Sequence, residues 1–239
     1  MRGQSVRGVS AELRRLRGDP LPWVFLPVAL LSALSIAASL PSDVRSAPPA
    51  VVDALGATMS ASLVGGLVVL AAVLGALGTA LADRSGVLAR DHLFTSGVVV
   101  LGSRAVSAVA STLLFGMFGI AMIEAAFLLV TGRALLSVPE AAAAVGILAA
   151  AGLWGYLVGV LVRSPVLVLF VVPATLSPAL LLSDAAPDVA RILPLSALLS
   201  AAGLADGGLA APVASLVATG WAVALAAVVV LVLRRRDRL

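Results

Sequence analysis

The sequence predicts an all-α membrane protein with six transmembrane helices, an N-terminal interfacial helix, and an external re-entrant segment between spans five and six. Three observations carry this. Of the 239 residues, 61% are hydrophobic and 12% charged, and the mean hydropathy is +1.14. A soluble domain carries about 25% charged residues, so most of this chain's surface cannot face water. The apolar residues fall in runs of about 20 or more, enough to cross a hydrocarbon core of roughly 30 Å. The arginines gather in alternate connections, which fits a chain that crosses the bilayer repeatedly.

Residues 1–19 are polar and basic. Val6, Val9, Leu13 and Leu16 recur at helical spacing, with Arg7, Arg14, Arg15 and Arg17 between them. This pattern suits a helix lying in the interface with its guanidinium groups among anionic headgroups. The segment is too long and charged for a cleavable signal, and a full-length span follows it. The first span is expected at 22–40, opened by Pro20 and Pro22 and closed by Pro41. A proline at a helix start loses only an N–H that had no partner there. Residues 41–57, with Pro48, Pro49 and Asp53, read as an external loop. The second span is expected at 59–82 and the third at 105–130, with a polar connection between them. The fourth, at 138–162, has Pro139 in its first turn. Arg163-Ser164-Pro165 is so short that the fifth span, 165–183, must run antiparallel beside the fourth. Pro173 and Pro178 should kink it, because each removes a rung of the backbone ladder. In 184–210, the stretch Leu193–Ser200 is apolar but too short to cross, which suits a re-entrant or interfacial helix. The last span is expected at 211–233, before Arg234, Arg235, Arg236 and Arg238. The whole chain, 1–239, reads as one transmembrane domain.

Six spans put both termini on one side. Arg2, Arg7, Arg14, Arg15, Arg17, Arg84, Arg90, Arg104, Arg163 and the C-terminal arginines then share a face, against Arg45, Arg133 and Arg191 on the other. The positive-inside rule makes the rich face cytoplasmic and the protein a multi-pass component of the inner membrane. In a membrane chain the basic balance reports orientation, and nucleic acid is not an expected partner.

The chain has no cysteine and no lysine. Disulfides, thiolate chemistry and a P-loop lysine are therefore excluded, and no catalytic residues, metal ligands or cofactor site are expected. His92, beside Asp91, reads as a solvated loop histidine. Asp184 and Asp188, with Pro187 between them, read as capping and solvating an external loop. Glu124 is the one intramembrane carboxylate. Such a group is a functional candidate, with two structural alternatives: it reaches headgroup water near the outer interface, or it pairs with Arg133. Gly152, Gly155 and Gly159 are spaced for close helix packing, within the chain or across a dimer. The connection after the second span holds Asp83, Arg84, Gly86, Leu88, Arg90, Leu93 and Phe94. Its charged turn leads into a short amphipathic stretch that should bury its apolar side on the membrane or on a soluble partner.

At this point the chain resembles the ABC-2 type permeases, the membrane subunits of ATP-binding cassette exporters. The resemblance covers essentially the whole chain and rests on five features in order. They are the basic N-terminal segment ending Glu12–Pro20; the acidic-arginine-x-glycine-x-leucine turn Asp83–Leu88; the stretch Gly155–Pro165; the external segment around Leu193-Pro194-Leu195; and the arginines after the last span. The chain departs from many members in having no large external domain and no proline after the coupling turn. The resemblance implies a half-channel that dimerises with a second permease subunit and docks cytoplasmic ATPase subunits, which bind the ATP. It implies that the 83–97 connection is the coupling helix and that the N-terminal helix lies beside the ATPase. A path with few charges suits an amphipathic or lipid-like cargo moved outward. The competing readings are a haem-exporter-type permease, for which axial histidines are missing, a membrane-embedded lipid-modifying enzyme, and a non-transporting immunity or anchor subunit.

Overall fold

The computed structural model describes residues 20–41, 43–85, 97–205 and 207–236. These residues form helices joined by turns and short irregular stretches, with no strand among them. The expected interfacial helix within 1–19 lies outside them.

Helix α1 spans Pro20–Ser39 and contains Pro27. A 3-10 turn, Val44–Ser46, leads to α2, Pro49–Arg84. Helix α3 is Gly97–Thr131 and α4 is Val138–Val162. Helix α5 is Pro165–Leu176, followed by single-turn α6, Pro178–Leu181. Two short helices come next, α7 at Pro187–Arg191 and α8 at Pro194–Ala201, and then α9, Ala211–Arg236. Helices α2, α3, α4 and α9 are long and apolar enough to cross a membrane, whereas the apolar stretches Trp23–Ser39 and Pro165–Leu176 are shorter. Trp23, Leu31, Phe170, Leu216, Val223 and Leu231 are large apolar side chains exposed on α1, α5 and α9. A bare apolar surface of this extent belongs against lipid, so the chain is a membrane protein by length, composition and surface.

Several boundaries differ from the sequence reading. Residues 49–57 were expected to be loop, yet α2 begins at Pro49. Pro49 occupies the first helical position, nothing after it breaks the helix, and Val52 and Gly56 are buried against Phe127 of α3. Hydropathy marks where lipid begins, not where hydrogen bonding begins. At 36 residues, α2 is about 54 Å long and exceeds the hydrocarbon thickness. For the same reason α3 starts at Gly97, not near residue 105, and takes in Arg104. The fifth apolar segment does not run unbroken to residue 183. It stops at Ser177, whose N–H still bonds the Pro173 carbonyl at 2.7 Å, before Pro178 opens a new turn.

The bundle is built around α2 and α4. Gly155 lies against Ala72 and Gly159 against Ala76, so numbers rise together and these helices run in the same direction. Helix α3 runs opposite to both: Gly116 meets Leu148 on α4, and Gly119 meets Leu67 on α2. Helix α1 packs on the outer side of α3, where Phe25 meets Phe115 edge-on at 6.1 Å. Helix α5 packs on α2 and α4, and the buried α8 wedges among α2, α4, α5 and α9. Helix α9 runs with α4: Trp221 Nε1 donates to the Ile192 carbonyl at 2.8 Å, and Val229 clusters with Tyr156 and Val160. These directions gather Arg84, Arg163, Arg234 and Arg235 at one end of the bundle and Arg45, Arg133 and Arg191 at the other.

Candidate functional site

Two regions concentrate the features singled out in the sequence. The first is the α2–α4 seam. A Cβ at Gly155 would overlap the Ala72 carbonyl oxygen, and one at Gly159 would stand 2.7 Å from the Ala76 oxygen. Gly152 faces the Thr112 side chain of α3, while its own carbonyl faces Gly75 of α2. All three glycines therefore bring backbones together within the chain, where a side chain would force the helices apart. Ala72 and Ala76 complete the seam. The wider cluster of glycines on α2 does not act as a unit, since Gly66 and Gly78 face open space.

Toward the arginine-rich end, Tyr156 donates its hydroxyl proton to the Leu101 carbonyl of α3 at 2.7 Å. Arg104 stands beside it and is only 8% exposed. Sequence reasoning put Arg104 in a loop with the other arginines. The apolar run Val98–Leu101 just before it was the available signal that the helix had already begun. On the other side of α4, Trp154 Nε1 donates to Thr175 Oγ1 at 3.1 Å, and Thr175 donates in turn to the Val172 carbonyl at 2.7 Å. This pair ties the seam to α5 one turn before its break, and nothing in the sequence singled it out.

The second region is the opposite end, around the α3–α4 connection. Glu124 accepts the backbone N–H groups of Leu136 at 2.7 Å and Leu135 at 3.1 Å. Its expected pairing with Arg133 is not what forms. Arg133 reaches across to Asp53 on α2, with Nη1 2.7 Å from Oδ1. The reason is local: the chain turns through Gly132, at φ +76°, and the N–H groups of Leu135 and Leu136, just ahead of α4, point back at α3 with no helix yet to satisfy them. A carboxylate two turns before the α3 terminus takes both, because an unmet donor costs more than a solvated arginine would return. Helix α4 then opens with a reciprocal cap. The Ser137 hydroxyl accepts the Glu140 N–H at 3.4 Å, and Glu140 accepts the Ser137 N–H at 2.7 Å. The Ser-x-x-Glu spacing of 137–140 is the sequence signature of this motif, a signal the sequence reading passed over.

Asp53, Leu135, Leu136 and Glu140 also line a cavity of about 260 Å³. Val52, Asp53, Gly56, Ala57 and Ser60 of α2 form one wall, Phe127 and Ala134–Leu136 another, and Glu140, Gly203 and Leu204 complete it. Gly203 takes φ +74° in the turn that closes α8, a conformation that favours glycine.

Of the connection expected to couple to a partner, Asp83 and Arg84 form the last turn of α2, capped where the Ser85 N–H bonds the Leu81 carbonyl at 3.0 Å. Gly86, Leu88, Arg90, Leu93 and Phe94 lie outside the described residues. Asp188 pairs with Arg191 at 3.1 Å within α7, and Asp184 accepts the Ser183 hydroxyl at 3.4 Å, both on exposed surface. Among the described residues no group of three acidic or histidine side chains could hold a metal ion. No protein-family model, curated protein or solved structure matches the chain.

Proposed function

We propose that this chain is the membrane-spanning permease subunit of an ATP-binding cassette exporter of the ABC-2 type. In this reading the shorter apolar helices α1 and α5–α6 complete six spans, α7–α8 is the external re-entrant segment, and both termini are cytoplasmic. The observation that carries the proposal is the polarity of the bundle. Parallel α2 and α4 bring Arg84 and Arg163 to the same end as Arg234 and Arg235, and the 83–97 connection leaves from that end. This is where the positive-inside rule puts the cytosol and where a motor subunit would have to grip.

The architecture suits that task. Helix α2 is one uninterrupted rod, and Asp83 lies about 45 Å along it from Asp53. A push at the connection would reach the far end with little loss, because the glycine seam locks α2 to α4 as a single stiff pair. ATP would be bound and hydrolysed by the partner, and closure of the ATPase would bias the two permease halves between inward and outward states. An amphipathic or lipid-like cargo fits helices whose exposed faces are almost wholly apolar.

Two experiments test the proposal. The chain has no native cysteine, so single cysteines can be labelled with a membrane-impermeant maleimide without a background variant. Ser85→Cys and Ser164→Cys should label only from the cytoplasmic side, and Ser46→Cys and Ala134→Cys only from outside. Labelling of Ser85→Cys and Ser46→Cys from the same side would remove the topology. For the partner, the chain should co-purify with an ATPase subunit encoded beside it, and deletion of residues 84–97 should abolish that association while membrane insertion persists. Association that survives the deletion would count against the coupling role.

A further inference from the structure

We infer that the break in helix α5 is a hydrated recess near the middle of the bilayer, where the Ala174 carbonyl and the Ser177 hydroxyl hold water or a small uncharged polar group. Proline creates it. In an unbroken helix the Ala174 carbonyl would accept the N–H four residues on, but Pro178 has none. The neighbouring donors are committed elsewhere. The Ser177 N–H bonds the Pro173 carbonyl at 2.7 Å. The next turn closes on the Ser177 carbonyl, which accepts from Leu180 at 2.9 Å and Leu181 at 3.3 Å. The Thr175 hydroxyl donates to Val172 and accepts from Trp154. The Ser177 hydroxyl caps neither helix and makes no hydrogen bond among the described residues. An unmet acceptor and an unengaged hydroxyl thus stand within one turn of each other.

Depth makes this arrangement untenable in lipid. Ala174 lies about 14 Å along α5 from Pro165, beside Arg163 at the arginine-rich end. Trp154, which bonds Thr175, lies about 14 Å from Arg163 along α4. Both helices therefore place the break close to the middle of a hydrocarbon core roughly 30 Å thick. Irregular backbone survives there only where protein or water meets its polar groups. No protein donor meets the Ala174 carbonyl, and Ala174 is exposed, so water is left. The surface changes at the same point. Leu167 and Phe170 are large, apolar and 54% and 70% exposed, whereas Ala174 and Ser177 continue that helix face with small side chains that leave room. Beyond α6 the exposed turn with Ser183 and Asp184 gives water its way in. Helices α5 and α6 carry no charged residue, so a bare ion would go uncompensated and an uncharged hydrogen-bonding group fits. A broken helix with free carbonyls at mid-membrane is a physical means of holding such a group. The inference needs the chain to span a membrane and is independent of the exporter reading.

The test uses the full chain in phospholipid vesicles, with one nitroxide at a time on Leu167→Cys, Phe170→Cys, Ala174→Cys, Ser177→Cys or Ser183→Cys, since no native cysteine interferes. Power-saturation EPR compares collisions with oxygen, which concentrates in lipid, and with nickel ethylenediaminediacetate, a neutral polar complex. The nickel-to-oxygen ratio should be low at positions 167 and 170 and high at 183. At 174 and 177 it should exceed the lipid-facing pair by about fivefold or more, the factor by which an unmet carbonyl favours water. Pro178→Ala, which restores the missing N–H, should lower the ratio at 174 toward that at 170. Lipid-like ratios at 174 and 177 would overturn the inference. So would low collision rates with both probes, which would mean that a second copy or another protein buries the break. High ratios at 167 and 170 would bring the water from the arginine-rich end and overturn the recess as drawn. A ratio at 174 unmoved by Pro178→Ala would overturn the part given to the carbonyl. If Pro178→Ala fails to elute as a single species, the five positions in the parent still decide.

Discussion

Replacing Gly155 by alanine adds one methyl group to a seam with no room for it. The new Cβ would overlap the Ala72 carbonyl oxygen and stand 2.5 Å from its carbon and 2.8 Å from its Cα. Ordinary contact needs about 3.5–4.0 Å. None of these atoms is the end of a flexible side chain, so relief requires α2 and α4 to separate by more than 1 Å, an estimate that follows from that spacing. A radial gap of 0.5–1 Å forfeits about a quarter to a half of each dispersion contact. The loss spreads along the seam through Gly75, Ala76, Gly152 and Gly159. Adding the cost of overpacking gives a destabilisation of about 2–4 kcal/mol. Gly66→Ala is the control, since a Cβ there meets nothing within 4 Å. It should be neutral or slightly stabilising, as alanine is the better helix former. Both can be measured by titrating purified protein from mild detergent into dodecyl sulfate and following helicity. If Gly155→Ala unfolds at the same detergent fraction as the parent, the two helices do not touch backbone to backbone and the central pair has been misassigned.

Three further outcomes follow from other contacts. Glu124→Ala should destabilise by about 2–4 kcal/mol in the same titration by orphaning two N–H groups, while Glu124→Gln, which keeps one acceptor oxygen, should lose roughly half as much. A double-mutant cycle on Asp53→Asn and Arg133→Gln should return a coupling of about 1 kcal/mol or less, shrinking with salt, because both side chains are well exposed. Tyr156→Phe should cost about 1 kcal/mol, since only the α4–α3 hydrogen bond to the Leu101 carbonyl is lost, and amide exchange should quicken at the start of α3 before it does elsewhere.

The sequence by itself determined what hydropathy and chain punctuation can determine. An apolar run of span length is a property of consecutive residues, so the long helices α2, α3, α4 and α9 were legible. So were the prolines that open α4 and α5, because each is a local backbone matter. Helix ends that protrude beyond the apolar window were not legible. Polar residues such as Asp53 and Arg104 lower the hydropathy without breaking a helix, so α2 and α3 came out too short. Partner choice lay further out of reach. Glu124 and Arg133 looked like a pair because they are near in sequence. The tertiary arrangement gave Glu124 to two backbone donors and Arg133 to Asp53, 80 residues away. Glycine spacing said that Gly155 and Gly159 could admit another helix. Only the fold decided that the helix is α2 of the same chain, running parallel. Spacing fixes which residues share a face, but the surface that face meets depends on where distant segments pack, and no stretch of consecutive residues encodes that.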